Sequence, residues 1–258
     1  MKKRINLILS MTSLFFTAFL LLVTIFGWYV TNSTATASGI TASTKGRSEV
    51  YMSTAYNGTD SLTTSNYTDY GFSKKVTITH TGALLPASSA DASAFYYATT
   101  VGTDGTATGT AFTAVSSTEK DYYYIDVNLY IISLETSSNI SIYLSNVKIA
   151  QGSGTSTTLY KAVRVSTIYN STATIFKCAS GGDAYPAEST NSIASTDTAI
   201  LAGSVDSNQV SIALDALASE SITDIECVTV RIWIEGQNSN AVATNDLSSF
   251  TVAMNFDE

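Results

Sequence analysis

Of the side chains that most often do chemistry, this sequence holds one histidine and two cysteines. His80, in "KKVTITHTG", continues the every-second-residue row of Val76 and Ile78, so it reads as the end of an inward-facing strand row. A zinc-peptidase helix needs two histidines one turn apart, and a Ser-His-Asp triad needs a histidine beside a serine that nothing here marks out. Asp104, Asp183, Asp197, Asp206 and Asp215 are dispersed, whereas calcium loops cluster oxygen ligands at alternate positions. "GGD" and "GSG" lack the strand–glycine–helix setting of a nucleotide loop. No catalytic residue, metal ligand or cofactor is therefore expected, and the chain is not expected to be an enzyme.

Two constellations remain. Cys178 closes "TIFKC" and Cys227 opens "CVTVRIWI"; in an exported chain they are a candidate disulfide. Such a bridge closes a loop of roughly 50 residues and stabilises by on the order of 4 kcal/mol. Two small buried thiols are the other reading. Trp233 falls on the polar side of its strand beside Arg231, which makes the pair a candidate aromatic contact surface. With Tyr96, Tyr97 and Tyr122 to Tyr124 it would offer a platform for sugars; a tryptophan half covered by a loop or by Arg231 is the alternative.

The elements that would position these residues are strands. In "YIDVNLYI", Ile125, Val127, Leu129 and Ile131 share one face. Ile140, Ile142 and Leu144 do so in "ISIYL", and Phe250, Val252, Met254 and Phe256 in the tail. In "VTVRIWIEG", Val228, Val230, Ile232 and Ile234 point inward, leaving Thr229, Arg231, Trp233 and Glu235 outward. Period-two alternation marks strands with one buried face, and turn-rich stretches such as "NGTD" (57–60) and "EGQNSN" (235–240) separate them. The expected fold is all-β: an antiparallel sandwich of Ig-like or jelly-roll type. Composition agrees. Charged residues are 13% and apolar residues 45% of 258, with serine, threonine and tyrosine taking the place of helix formers.

Charge patterning gives the direction of export. Lys2, Lys3 and Arg4 precede an apolar run, 5–30, long enough to span a bilayer, and positive residues stay cytoplasmic. The net charge is −8; removing the +3 of those residues leaves about −11 on the body. Nucleic acid is excluded as a partner, because phosphate binding needs clustered cations. The expected organisation is a signal or anchor helix over 1–30, an N-terminal strand or stalk over 31–45, and one sandwich over 46–258. The helix makes the membrane a partner at least until processing, for which Ala35 to Ala37 offers a small-x-small site.

"FGWYVTNSTATASGI", "LLPASSADASAFYYA", "DYYYIDVNLYIISLETSSNISIYLSNV", "KAVRVSTIY" and "VRIWIEGQNSNAVATNDLSSFTVAMNF" together resemble secreted Firmicute surface β-sandwich proteins. The resemblance extends at a distance to the camelysin and TasA type of biofilm-matrix protein. It implies an extracellular matrix or cell-surface structural protein, with homo-oligomers or filaments built by lending an N-terminal strand to a neighbour. The donor would lie around Trp28 to Thr41, after cleavage near Gly27 or Trp28, with Trp28, Tyr29, Val30 and Ile40 as its anchors. An anchored adhesin or glycan-binding module is the alternative. The peptidase label of camelysins finds no ligand constellation here.

Overall fold

Alternating apolar residues become two stacked sheets in the computed structural model. It describes residues 35–37, 39–45, 49–78, 83–98, 112–134, 138–152, 158–178, 191–195, 200–201, 210–216, 222–236, 238, 240–241 and 248–257. The chain divides after Asn32: the first unit lies outside the described residues, and every strand below belongs to the second, Ser33–Glu258. The described residues contain strands and short 3₁₀ turns but no α-helix, and no helix among them is long and apolar enough to cross a membrane. The expected leader helix and His80 fall outside the described residues.

Sheet one comprises β1 (Ala35–Ala37), β2 (Ile40–Lys45), β4 (Lys75–Ile78), β5 (Ala83–Leu84), β9 (Ile140–Gln151), β14 (Ser211–Leu214) and β16 (Ser248–Asp257). Sheet two comprises β3 (Val50–Ser53), β8 (Tyr124–Ser133), β10 (Val163–Tyr169), β11 (Thr172–Cys178), β12 (Asn191–Ser195), β13 (Ile200–Leu201) and β15 (Glu226–Ile234). A separate hairpin pairs β6 (Tyr96–Ala98) with β7 (Phe112–Ala114). Sheet two runs β13-β12-β11-β10-β15-β8-β3.

The inward rows are those the alternation predicts. Leu129, Ile131, Val228, Val230, Ile232 and Ile234 of sheet two are buried in one core with Ile140, Ile142, Leu144, Phe250, Val252, Met254 and Phe256 of sheet one. Each such side chain, removed from water, contributes about 1.5–3 kcal/mol. Where the period breaks, a bulge restores it. Leu144 and Val147 both face the core although three residues apart, because Phe256 pairs with Leu144 while Asn255 pairs with Asn146.

One expectation needs correcting: the sheets are mixed rather than purely antiparallel. β1 and β2 both run parallel to β16, and β12 runs parallel to β11. Alternation specifies which face a residue takes and is blind to the direction of the neighbouring strand.

The N-terminal segment lies inside sheet one. β16 has β9 on one flank and, on the other, β1 followed by β2; β5 and β4 then pair with the far sides of β1 and β2. Ala37, Ile40 and Ala42 point into the core. Between the Ala37–Phe250 and Thr41–Ala253 pairs the N-terminal segment advances four residues against three in β16. Gly39, at φ +66°, takes up the extra residue, a backbone conformation that costs glycine little. Gly152 is set tightly against the start of β16. Its N–H donates to the Ser249 carbonyl at 2.8 Å, and a Cβ there would come within 2.9 Å of Ser249 backbone atoms. Gly152→Ala is therefore expected to push β16 away where β1 joins it and to cost about 1–3 kcal/mol, read as a lowered midpoint in denaturant unfolding.

Candidate functional site

Both ends of the outer face of sheet two are roofed by aromatic loops. At one end Tyr56, Leu62 and Phe72 cover Ile132 and Ile222, with Tyr56 edge-on to Tyr130 at 5.1 Å and to Tyr70 at 5.7 Å. The Asn57 to Asp60 turn fixes that loop: Asn57 Oδ1 accepts from the N–H groups of Thr59 and Asp60, and Gly58 takes φ +79°. At the other end Ala87, Ala92 and Phe95 cover Ile175 and Trp233. Ala87 pins this roof to the end of β15, donating to Ile234 at 2.9 Å and accepting from Gly236 at 3.1 Å.

The structure thus separates the two members of the expected aromatic surface. Trp233 does lie on the outer face, but it is 0% exposed. Phe95 meets it edge-on at 5.3 Å and stacks on Tyr124 at 4.4 Å. It packs as a second small core and presents no surface to a partner. The cause is the 87–95 loop, whose own alternation carries no sign that it folds back over β15. Tyr97 and Tyr123 stack on each other at 5.2 Å, while Tyr96 and Tyr122 are exposed.

Arg231 ties the roof to the sheet. Its Nε and a terminal nitrogen donate to the two Asp126 carboxylate oxygens at 2.8 and 2.5 Å, and its other terminal nitrogen donates to the Ala92 carbonyl. The guanidinium lies 4.7 Å from the Tyr124 ring centre and 5.8 Å from that of Phe95. Burial alone would lower its pKa, but the Asp126 hydrogen bonds and charge hold it above the ordinary arginine value. A fork-to-fork pair of this kind fixes orientation as well as charge. Ala92 itself sits at φ +58°, which a non-glycine residue rarely adopts. The bond from Arg231 and the Asp91 turn hold it there. Asp91 Oδ1 accepts from the N–H groups of Ser93 and Ala94 and from the Ser89 hydroxyl, and Oδ2 accepts from the Ser93 hydroxyl at 2.6 Å. The Ser93 hydroxyl foremost, against the opposing effect of burial, holds the Asp91 carboxyl down at about 2.

Beside the 87–95 roof the outer face forms a groove of about 760 Å³. Its floor is made by β8, β15, β10 and β11, one wall by the Asp91 turn, and the other by the turn from β10 to β11. That second turn puts Asn170 at φ +48° and Ser171 at φ +63°, the left-handed pair that a two-residue hairpin requires.

The strand register does not bring the two cysteines of the candidate disulfide together. Lys177, next to Cys178, faces Arg164, which faces Trp233, six residues along β15 from Cys227. Six residues of strand span about 20 Å, with β10 between, whereas a bridge needs Cα atoms within about 7 Å. Cys227 is a free, partly buried thiol, its pKa raised by burial and by the Glu226 charge. Of the expected donor anchors, Ile40 is buried in sheet one opposite Ile78, and Trp28, Tyr29 and Val30 lie outside the described residues. Alternation puts Asp126 and Arg231 each on an outward face but carries no sign that they pair.

No family model, curated protein or solved structure matches this chain. The likeness to the camelysin and TasA type accordingly rests on the sequence motifs alone.

Two measurements check the site. Thiol titration of the unfolded, unreduced protein is expected to find both cysteines free, and gel mobility to be unchanged by reductant. Asp91 has a depressed pKa, so its contribution to stability is present above its unfolded value near 4 and disappears as pH falls toward 2. Asp91→Asn is expected to lower the unfolding free energy at pH 6 by under about 1 kcal/mol for so exposed a group, read from denaturant unfolding. The gap from wild type should close between pH 4 and 2.

Proposed function

We propose that the protein is an exported structural component of the cell surface or extracellular matrix, a jelly-roll-like sandwich that assembles by exchanging its N-terminal strand. The observation that supports this reading is the seat of residues 35–45, hydrogen-bonded to β16 on one side and to β5 and β4 on the other. Removing that segment would leave two open strand edges and uncover the core beside Ala37, Ile40 and Ala42, surfaces that recruit another strand.

Only four residues, Gly46 to Glu49, separate β2 in one sheet from β3 in the other. If that short crossover opens, the same strand can enter the same seat in a neighbour, with identical pairing and side-chain burial. Exchange of this kind is head-to-tail and propagates into a filament unless the rotation closes a ring. The apolar run 5–30 would hold the subunit at the membrane until processing. Residues 35–45 carry one charge, Lys45, and the inward side chains Ala37, Ile40 and Ala42 are apolar, so the strand enters the core without burying charge.

The exported chain beginning near Trp28 is expected to form fibres visible by negative-stain microscopy. A chain lacking 28–45 should form none, and a synthetic 28–45 peptide added in trans should bind it and raise its melting temperature. An exported chain that stays monomeric at every concentration tested would exclude the proposal.

A further inference from the structure

The groove on sheet two has a floor of two cross-strand rows. One holds Asp126, Arg231 and, beyond the buried Ser166, Ile175; the other runs Asn128, Thr229, Ile168, Ala173 across β8, β15, β10 and β11. Residues directly opposite on neighbouring strands project from the same face, so the floor passes from amide, carboxylate and hydroxyl at β8 and β15 to hydrocarbon at β10 and β11. The volume of about 760 Å³ lies within the range of ligand pockets, roughly 300–1,000 Å³.

Charge narrows the occupant. Arg231 is the one cation among the described lining residues, and its fork is held by Asp126. Asp91 remains an anion on the wall, its oxygens occupied by Ser89, Ser93 and Ala94. A phosphate, sulfate or acidic polymer would meet a net negative wall with no free cation to receive it. The remaining polar groups are neutral. Thr229 donates to Asn128 Oδ1 at 2.9 Å, which leaves the Asn128 amide hydrogens and the threonine lone pairs for a ligand.

We infer that this groove binds a neutral saccharide, its hydroxyl edge on Asn128, Thr229 and Asp126 and its C–H face on Ile168 and Ala173. A pyranose carries hydroxyls around its rim and hydrocarbon on its face, the same division the floor shows. The site lies on the sheet opposite the strand seat, so binding and assembly can succeed or fail separately. In a matrix subunit it would tie the protein to an uncharged polymer.

Isothermal titration of the protein recovered from cells tests this, with hexamers of β-1,4-glucose, α-1,4-glucose and β-1,4-N-acetylglucosamine, and hexagalacturonate as the anionic comparison. At least one neutral hexamer is expected to bind saturably, and hexagalacturonate not to compete. The double variant Asn128→Leu, Thr229→Val removes both partners of one hydrogen bond, a change that is often nearly neutral for folding. It should weaken binding at least tenfold with an unchanged melting temperature. Ala173→Trp, which fills the apolar half, should do the same and decides the matter if the double variant unfolds. Absence of binding by all three neutral hexamers, binding unaltered by a folded variant, or preference for hexagalacturonate would overturn the inference.

Discussion

The backbone pairing of residues 35–45 against β16 is the constraint on which sheet one depends. It gives β16 its second flank, carries β5 and β4 as further strands, and places Ala37, Ile40 and Ala42 over the shared core. Parallel pairing is slightly weaker per residue than antiparallel. The segment compensates through burial: Ile40 and Ala42 are fully enclosed. Gly39 and Gly152 serve the same join from opposite sides of β16. One lets the N-terminal strand advance an extra residue, and the other lets β9 approach Ser249 closely.

Sheet two solves a different problem. Its outer face carries enough apolar surface, from Trp233 and Ile175 at one end and Ile132 at the other, that water cannot be left against it. Two aromatic loops provide the cover, and Arg231 locks one of them through Asp126 and the Ala92 carbonyl. Val163 to Thr167 of β10 are buried on both faces, and their outward Arg164 and Ser166 pair with Trp233 and Ile175 of the small outer core. The groove is the strip of outer face left open beside the Asp91 turn.

The inward rows were readable because burial on one face imposes a period of two, and Ile125 to Ile131, Val228 to Ile234 and Phe250 to Phe256 keep it without interruption. Strand direction was not readable: β16 shows the same pattern whether β2 lies parallel or antiparallel to it. Nor was the fate of Trp233, since facing away from the core does not reveal a covering loop that starts some 140 residues earlier in the chain. The spacing of the two cysteines was silent for a related reason. Both sit at strand ends, but β10 separates their strands and the register sets them at opposite ends of the sheet. Arg231 could be assigned to a face by counting, whereas its partner depended on β15 pairing with β8 in one particular register.

The parallel course of β1 and β2 beside β16 bears on how the domain answers force. A pull from the N-terminal side of Ala35 and the C-terminal side of Asp257 draws two side-by-side strands lengthwise in opposite directions. Their hydrogen bonds then carry the tension together, in shear, instead of opening one after another like a zip. A chain threaded this way resists stretching along the line by which tethers would grip it.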